Sequence, residues 1–187
     1  LLDLAELLDA KGDPGATKAY EKAAQAGSHW ACYQLALDAK KAGNQEAAIQ
    51  FYKKGAQMGS AASCHSLGDI YREKGQLQQA LAWYKKGADM NLETAFKEGN
   101  CPGTIIALSS KVAGMYSRGE GTSKNAAMAL HYYNRGGFPE EGEIMLEIAD
   151  LYFRVARSES DPEKAAALRT KGLEAAAKSG FDTAGAV

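Results

Sequence analysis

Proline, cysteine and histidine are scarce in this chain, at four, three and three of 187 residues. It also lacks any apolar run approaching the ~18–20 residues that a membrane-spanning helix needs. Nor does it carry an excess of either charge, since twenty-two basic residues face twenty-three acidic ones. A nucleic-acid partner would call for a basic excess or stripe, so nucleic acid is not expected as a ligand. The three cysteines, Cys32, Cys64 and Cys101, are an odd number in a chain large enough to fold without disulfide staples. Cys32 and Cys64 stand one repeat interval apart, and neighbouring helices pack at roughly 8–10 Å, beyond the reach of about 7 Å between Cα atoms that a disulfide allows. All three read as small buried apolar side chains.

The same scarcity limits the chemistry. The histidines fall in separate stretches and no Gly-x-Ser-x-Gly elbow is present, so no nucleophile with a neighbouring base is expected. Cys64-His65, with Cys32 and His29, is the nearest approach to a metal set. Adjacent residues on a helix point about 100° apart, which suits a tetrahedral ion poorly. Gly119-Glu-Gly121 lacks the Gly-Lys-Ser/Thr that would make it a phosphate loop. Glu140-Glu141-Gly-Glu143 reads as a solvated turn and first helical turn, where acids suit the helix dipole. No catalytic residue, metal or cofactor is therefore assigned.

What the chain has instead is repetition. Leu35-Ala-Leu-Asp-Ala-Lys-Lys-Ala-Gly43 returns 32 residues later as Leu67-Gly-Asp-Ile-Tyr-Arg-Glu-Lys-Gly75, and Tyr52-Lys-Lys-Gly-Ala-Gln-Met-Gly59 returns at the same interval as Tyr84-Lys-Lys-Gly-Ala-Asp-Met-Asn91. A unit of that length with two helix-sized apolar patterns marks a helical repeat array. Extended outward, the register has helix A anchors at Leu4, Leu35, Leu67, Val112 and Ile148, and helix B anchors at Tyr20, Tyr52, Tyr84, Tyr133 and, degenerately, Arg169. Alanine lies four residues before every B anchor (Ala16, Ala48, Ala80, Ala129, Ala165), and Ala23, Gly55, Gly87, Gly136 or Gly172 lies three after it. Residues three and four apart share a helix face, so a ring flanked by small side chains lets a neighbouring helix come close. Glycine inside a helix costs about 1 kcal/mol relative to alanine, and its return in four units points to that close approach.

The expected fold is all-α, a right-handed α-solenoid of about five antiparallel helix pairs forming one domain over residues 1–187. Its units fall near 1–29, 30–61, 62–91, 108–141 and 142–180, with an insertion at 92–107. Glycines at Gly12, Gly43 and Gly75 should end the A helices. Asp13-Pro14 and Asp161-Pro162 should cap and start B helices. The insertion contains Ala95-Phe-Lys-Glu-Gly-Asn-Cys-Pro-Gly-Thr104, rich in turn residues, with one helical turn expected over 94–98. Such a connection is either a functional loop or a mobile one. The opening Leu1-Leu-Asp-Leu is already in helical register, and Gly180-Phe-Asp-Thr-Ala184 matches the lead-in Gly27-Ser-His-Trp-Ala31, so the chain reads as an excised stretch of a longer protein.

Tyr116, Gly119-x-Gly121, a polar turn, an alanine-rich helix and the pair Tyr132-Tyr133 together resemble the Sel1-like repeat, a relative of the tetratricopeptide repeat. Ile148-Ala-Asp-Leu-Tyr152 with Asp161-Pro-Glu-Lys-Ala165 is similar to it, and the three shorter units lean toward the tetratricopeptide form. The resemblance implies that the A helices line an inner wall able to hold a peptide or a partner's helix. Carried onto this chain, the candidate partner-binding residues are Trp30, Tyr33, Leu37, Lys40, His65, Asp69, Arg72, Ser110, Arg118 and Asp150. The alternative for Trp30 and Tyr33 is packing between units, and Trp83 reads as core. A non-catalytic scaffold with a protein partner is the leading expectation. The second is a bacterial cell-envelope protein binding or hydrolysing a cell-wall-like substrate, which an upstream signal peptide would favour.

Overall fold

The computed structural model describes residues 1–137 and 142–179, and every regular element among them is an α-helix. The acidic run 140–143 and the lead-in at 180–184 lie wholly or mainly outside the described residues. The helices are α1 (Leu2–Ala10), α2 (Ala16–Gln25), α3 (His29–Lys41), α4 (Gln45–Gln57), α5 (Ala61–Glu73), α6 (Leu77–Ala88), α7 (Pro102–Arg118), α8 (Ala126–Gly136), α9 (Gly142–Ser158) and α10 (Pro162–Lys178). Two compact units are formed, Leu1–Leu108 and Ser109–Val187, with the division falling inside α7.

In the first unit α1 packs on α2, α3 on α4 and α5 on α6, and each pair packs on the next through α2–α3 and α4–α5. In the second unit α9 packs on α8 and on α10, and the rings of Tyr116 and Tyr132 bring α7 and α8 together, stacked at 6.0 Å. The repeat register accounts for this order. The B anchors Tyr20, Tyr52, Tyr84 and Tyr133 are all buried, as are the five alanines that precede the B anchors. Burying a large side chain stabilises by about 1.5–3 kcal/mol, so the tyrosines are a main source of cohesion within each unit.

The small positions work as their recurrence implies. A Cβ on Gly87 would run into Leu108 Cδ1 and lie 3.0 Å from Cys64 Cβ, and one on Gly55 would lie 2.5 Å from Ser63 Oγ. Gly43 and Gly75 end α3 and α5 in the left-handed region, at φ of 75° and 73°. The amides after them, of Asn44 and Gln76, bond back to the carbonyls of Ala39 and Tyr71 at 2.9 and 2.8 Å. This closes the helix end on its otherwise unpaired carbonyls. Side chains of Ser28, Asn44, Ser60, Asn125 and Asp161 accept from amides in the first turn of the helix that follows each.

Four expectations differ in detail. Asp13 accepts from the Gly15 amide at 2.7 Å, but α2 begins at Ala16 with Gly15 as its cap. Proline and glycine take up a turn first. Leu4 is 52% exposed, whereas its counterparts in the other four A helices are buried, Leu35 and Leu67 in clusters with residues of the preceding helix pair. Cys32 and Cys64 are buried, but Cys101 is exposed, standing just before α7 rather than on a packed helix face; all three are free thiols. Trp83 is half-buried against the α3–α5 core, with the Lys86 ammonium 5.5 Å from its ring centre.

Candidate functional site

Of the candidate residues, Trp30, Tyr33, Leu37, Lys40, His65, Asp69 and Arg72 belong to the first unit, and Ser110, Arg118 and Asp150 to the second. On α3, Trp30 and Tyr33 are both half-buried. They stack with ring centres 5.3 Å apart and planes 23° from parallel. The Trp30 Nε1 donates to Glu6 Oε1 of α1 at 3.0 Å, and the Tyr33 ring meets that of Tyr52 at 5.8 Å. Tyr33 and Leu37 lie against the core beneath. These aromatics therefore both pack and retain open surface.

On α5, one turn apart, His65 and Asp69 approach to 3.5 Å between Nδ1 and Oδ2. Asp69 Oδ1 accepts from the Tyr84 hydroxyl at 2.5 Å, and Arg72 reaches the same hydroxyl. Burial, then the Asp69 carboxylate, push the Tyr84 phenol well above its ordinary range. Asp69 thus spends one oxygen on cohesion within its own helix pair. Lys40 helps line a cavity of about 180 Å³ with Gly43, Gln45, Ala48, Ile70 and Glu73.

In the second unit, Ser110 is half-buried on α7. The Arg118 Nε bonds Glu120 Oε1 at 2.6 Å, its guanidinium lying over Gly114. That carboxylate holds the guanidinium proton more tightly still. Asp150 is exposed and pairs loosely with Arg154 at 3.8 Å. A further cavity of about 190 Å³ is floored by Met145, Ile148, Tyr152 and Ala175 and rimmed by Asn134, Lys171, Glu174 and Lys178.

The insertion is where sequence reasoning saw least. The Glu98 amide bonds the Thr94 carbonyl at 3.0 Å, giving the expected helical turn. Beyond it the chain folds back along the starts of α3 and α5. His29 Nε2 lies 2.7 Å from the Glu98 carbonyl oxygen. The buried Asn100 accepts from the Ala61 amide at 2.8 Å and donates to the Gly59 carbonyl at 2.9 Å. The segment is thereby a strap pinned to two earlier pairs, with Phe96 82% exposed on its turn. Asn100 alone carries the signal, and an asparagine in a turn-rich stretch reads first as a turn residue.

Burial raises the Cys32 thiol and pushes Cys64 up to about 11, so both stay protonated near neutrality. No group of three or more His, Cys, Asp or Glu among the described residues is placed to hold a metal ion, and no described helix is long and apolar enough to cross a membrane.

Against solved structures, the chain is similar to the Sel1 repeat protein from Oxalobacter formigenes, at 23% identity over 91% of this chain and 70% of that one, with a TM-score of 0.61. The fold is the Sel1-type helical repeat. The protective antigen c5321 of uropathogenic Escherichia coli, which displays an SLR fold, also shares it at 23% identity and a TM-score of 0.55. That match takes in 89% of this chain but only 36% of the antigen. The MamA protein matches at 20% identity over 95% of this chain and 87% of its own, with a TM-score of 0.50. No protein-family model matches the chain, and no curated protein sequence does. Within the Sel1-type repeat, the candidate residues on α3, α5, α7 and α9 are all helix A positions.

Proposed function

We propose that the chain is a binding scaffold that holds a segment of a partner protein against its A-helix face and performs no chemistry of its own. The observation that carries this reading is the stacked, half-open pair of Trp30 and Tyr33 on α3. Large, rigid aromatic surface with little rotamer entropy to lose is what binding hot spots favour. Lys40 and Arg72, both exposed, add charge near the ends of α3 and α5. Such a face suits a segment with one apolar anchor and an acidic flank, laid down extended or as a short helix. The similarity of fold to Sel1 repeat proteins is compatible with this use and does not identify the partner.

Selection of a displayed random-peptide library on the immobilised chain provides the test, followed by fluorescence-anisotropy titration of the recovered peptides. Arg72→Ala should weaken binding by about tenfold, the scale of one hot-spot contact, and lower the melting temperature only slightly through its lost contact with the Tyr84 hydroxyl. Trp30→Ala should weaken it further at a small cost in stability, since the Glu6 bond is lost as well. Peptides that bind both variants as well as the parent would refute the assignment of the face.

A further inference from the structure

The cavity of about 190 Å³ in the second unit marks a place where the repeat has left out a side chain. Its floor is Met145, Ile148 and Tyr152 of α9 with Ala175 of α10. Ala175 stands six residues after the B anchor Arg169, and at that distance from Tyr52 and Tyr84 the first unit carries Met58 and Met90. Met58 packs against the cluster of Cys32 and Leu35, and Met90 against that of Cys64 and Leu67. In the register those residues correspond to Met145 and Ile148, and Tyr71, which packs on the same cluster as Met90, corresponds to Tyr152. A seat that the chain fills twice with its own methionine is thus present a third time with alanine in the methionine's place. Met145 is larger than the cysteines it replaces, but it is itself buried, at 4% exposed, and the space above it stays open.

The opening does not depend on where the chain stops. A following helix pair would stack on the Gly172 and Leu173 side of α10, as α3 stacks on Ala23 and Ala24 of α2. The cavity lies along a different side, that of Lys171, Glu174, Ala175 and Lys178, which faces Asn134 of α8. Met58 also remains only half-buried although α5 and α6 follow its pair, so a further pair does not close this seat.

An apolar cavity of about 150 Å³ holds a benzene ring, so this one has room for an unbranched side chain of methionine's length. A thioether gains from contact with an aromatic ring, which Tyr152 offers in the floor. At the mouth stand Lys171, Glu174 and Lys178, on successive turns of α10 and all exposed. Two ammonium groups and one carboxylate around an apolar seat match a head group that carries both charges. An acid without an ammonium would set its charge against Glu174, and a methionine inside a peptide would bring neither charge to the mouth.

We propose that this cavity binds a free α-amino acid with an unbranched apolar side chain, methionine being the type. The side chain takes the seat left open by Ala175, the carboxylate goes to Lys171 or Lys178, and the ammonium goes to Glu174. Amide chemical-shift titration of the isotope-labelled chain with L-methionine tests it. Shifts should saturate with a Kd of about a millimolar and cluster on α9 and α10 around Met145 and Ala175. Ala175→Met restores the residue of the first unit, and it should abolish the titration and raise the melting temperature. Glu174→Lys, at an exposed site, should weaken L-methionine about fivefold and reverse the parent's preference for it over hexanoate. No saturation up to about 50 mM overturns the proposal, as does binding that survives Ala175→Met. A melting temperature of Ala175→Met below the parent's would mean that there is no space to fill, and sinks it as well. Hexanoate bound more tightly than L-methionine by the parent refutes the role of Glu174. N-acetyl-methionine methylamide bound as tightly as the free amino acid would make the occupant a partner's side chain and overturn the proposal too.

Discussion

The pairs α3–α4 and α5–α6 share their pitch and the sequence Tyr-Lys-Lys-Gly-Ala, yet they use their central tyrosine differently. The Tyr52 ring lies in one cluster with Ala36, and its hydroxyl faces the Ser66 side chain on the next pair. The Tyr84 ring lies directly on Gly68, where a Cβ would overlap its ring carbons, and its hydroxyl bonds Asp69 within its own pair. Ring placement is therefore common property of the repeat, set by small side chains three and four residues away. The hydroxyl is left to find whatever acceptor or donor the local sequence offers. One pair uses it to tie neighbours together and the other to tie itself.

The comparison can be broken most severely at Gly87, which belongs to the shared part. Gly87→Leu would drive a side chain into Leu108 and Cys64 and should cost about 3 kcal/mol, the upper part of the range for overpacking. A urea denaturation curve reads this directly, and a midpoint equal to the parent's would mean that the close approach is not what the glycine serves. High pH attacks the tyrosines of both kinds at once. Burial, followed by the Asp9 carboxylate, raises Tyr20 from its ordinary value of 10 to about 12, and burial with Glu147 raises Tyr133 to about 12. Tyr52 and Tyr84 are raised as well, chiefly by burial. An unfolded chain releases these protons near pH 10 and the folded one only later, so their contribution is complete below pH 10 and disappears as pH rises through about 12. Stability should fall steeply across that window while tyrosinate absorbance at these sites lags behind that of the unfolded chain.

Gly68→Ala separates the two pairs. Alanine gains about 1 kcal/mol of helix propensity over glycine, but here its Cβ must displace the Tyr84 ring and strain the bond to Asp69. A net loss of about 1–2 kcal/mol is expected. In α3 the counterpart is already alanine, with Tyr52 buried in the same cluster. A stabilised Gly68→Ala chain would show that Tyr84 can settle as Tyr52 does, and the contrast between the pairs would be superficial.

The ring-and-small-residue pattern was legible in the sequence because packing geometry recurs at a fixed interval, and the helix ends were legible because left-handed glycines and capping side chains act through bonds only a few residues long. The polar wiring was not. Whether Asp69 faces a partner or Tyr84 depends on distances between side chains fifteen residues apart in sequence, and periodicity places a residue on a helix face without saying which neighbour its atoms meet. The strap was hidden for a related reason. Asn100 acts on Gly59 and Ala61, about forty residues away, and nothing local announces that reach. The candidate face was legible as a set of A-helix positions, while the apolar side of α1 needed burial values before Leu4 parted company with Leu35.

The smallest effect is the sharpest probe of the wiring itself. Asp69→Ala removes the acceptor of the Tyr84 hydroxyl and one of its charged neighbours. Arg72 still reaches that hydroxyl, so the cost should be about 1 kcal/mol, below the usual range of about 1.5–3 kcal/mol for a charge-assisted bond. Ser66→Ala removes a neutral partner from Tyr52 and should cost still less, about 0.5 kcal/mol. The location of the loss distinguishes them better than its size. Asp69→Ala should speed amide exchange within α5 and α6 alone, whereas Ser66→Ala should loosen the junction between α4 and α5, with protection falling on both helices. Identical exchange maps for the two variants would mean that the hydroxyl bonds follow the packing and do not direct it.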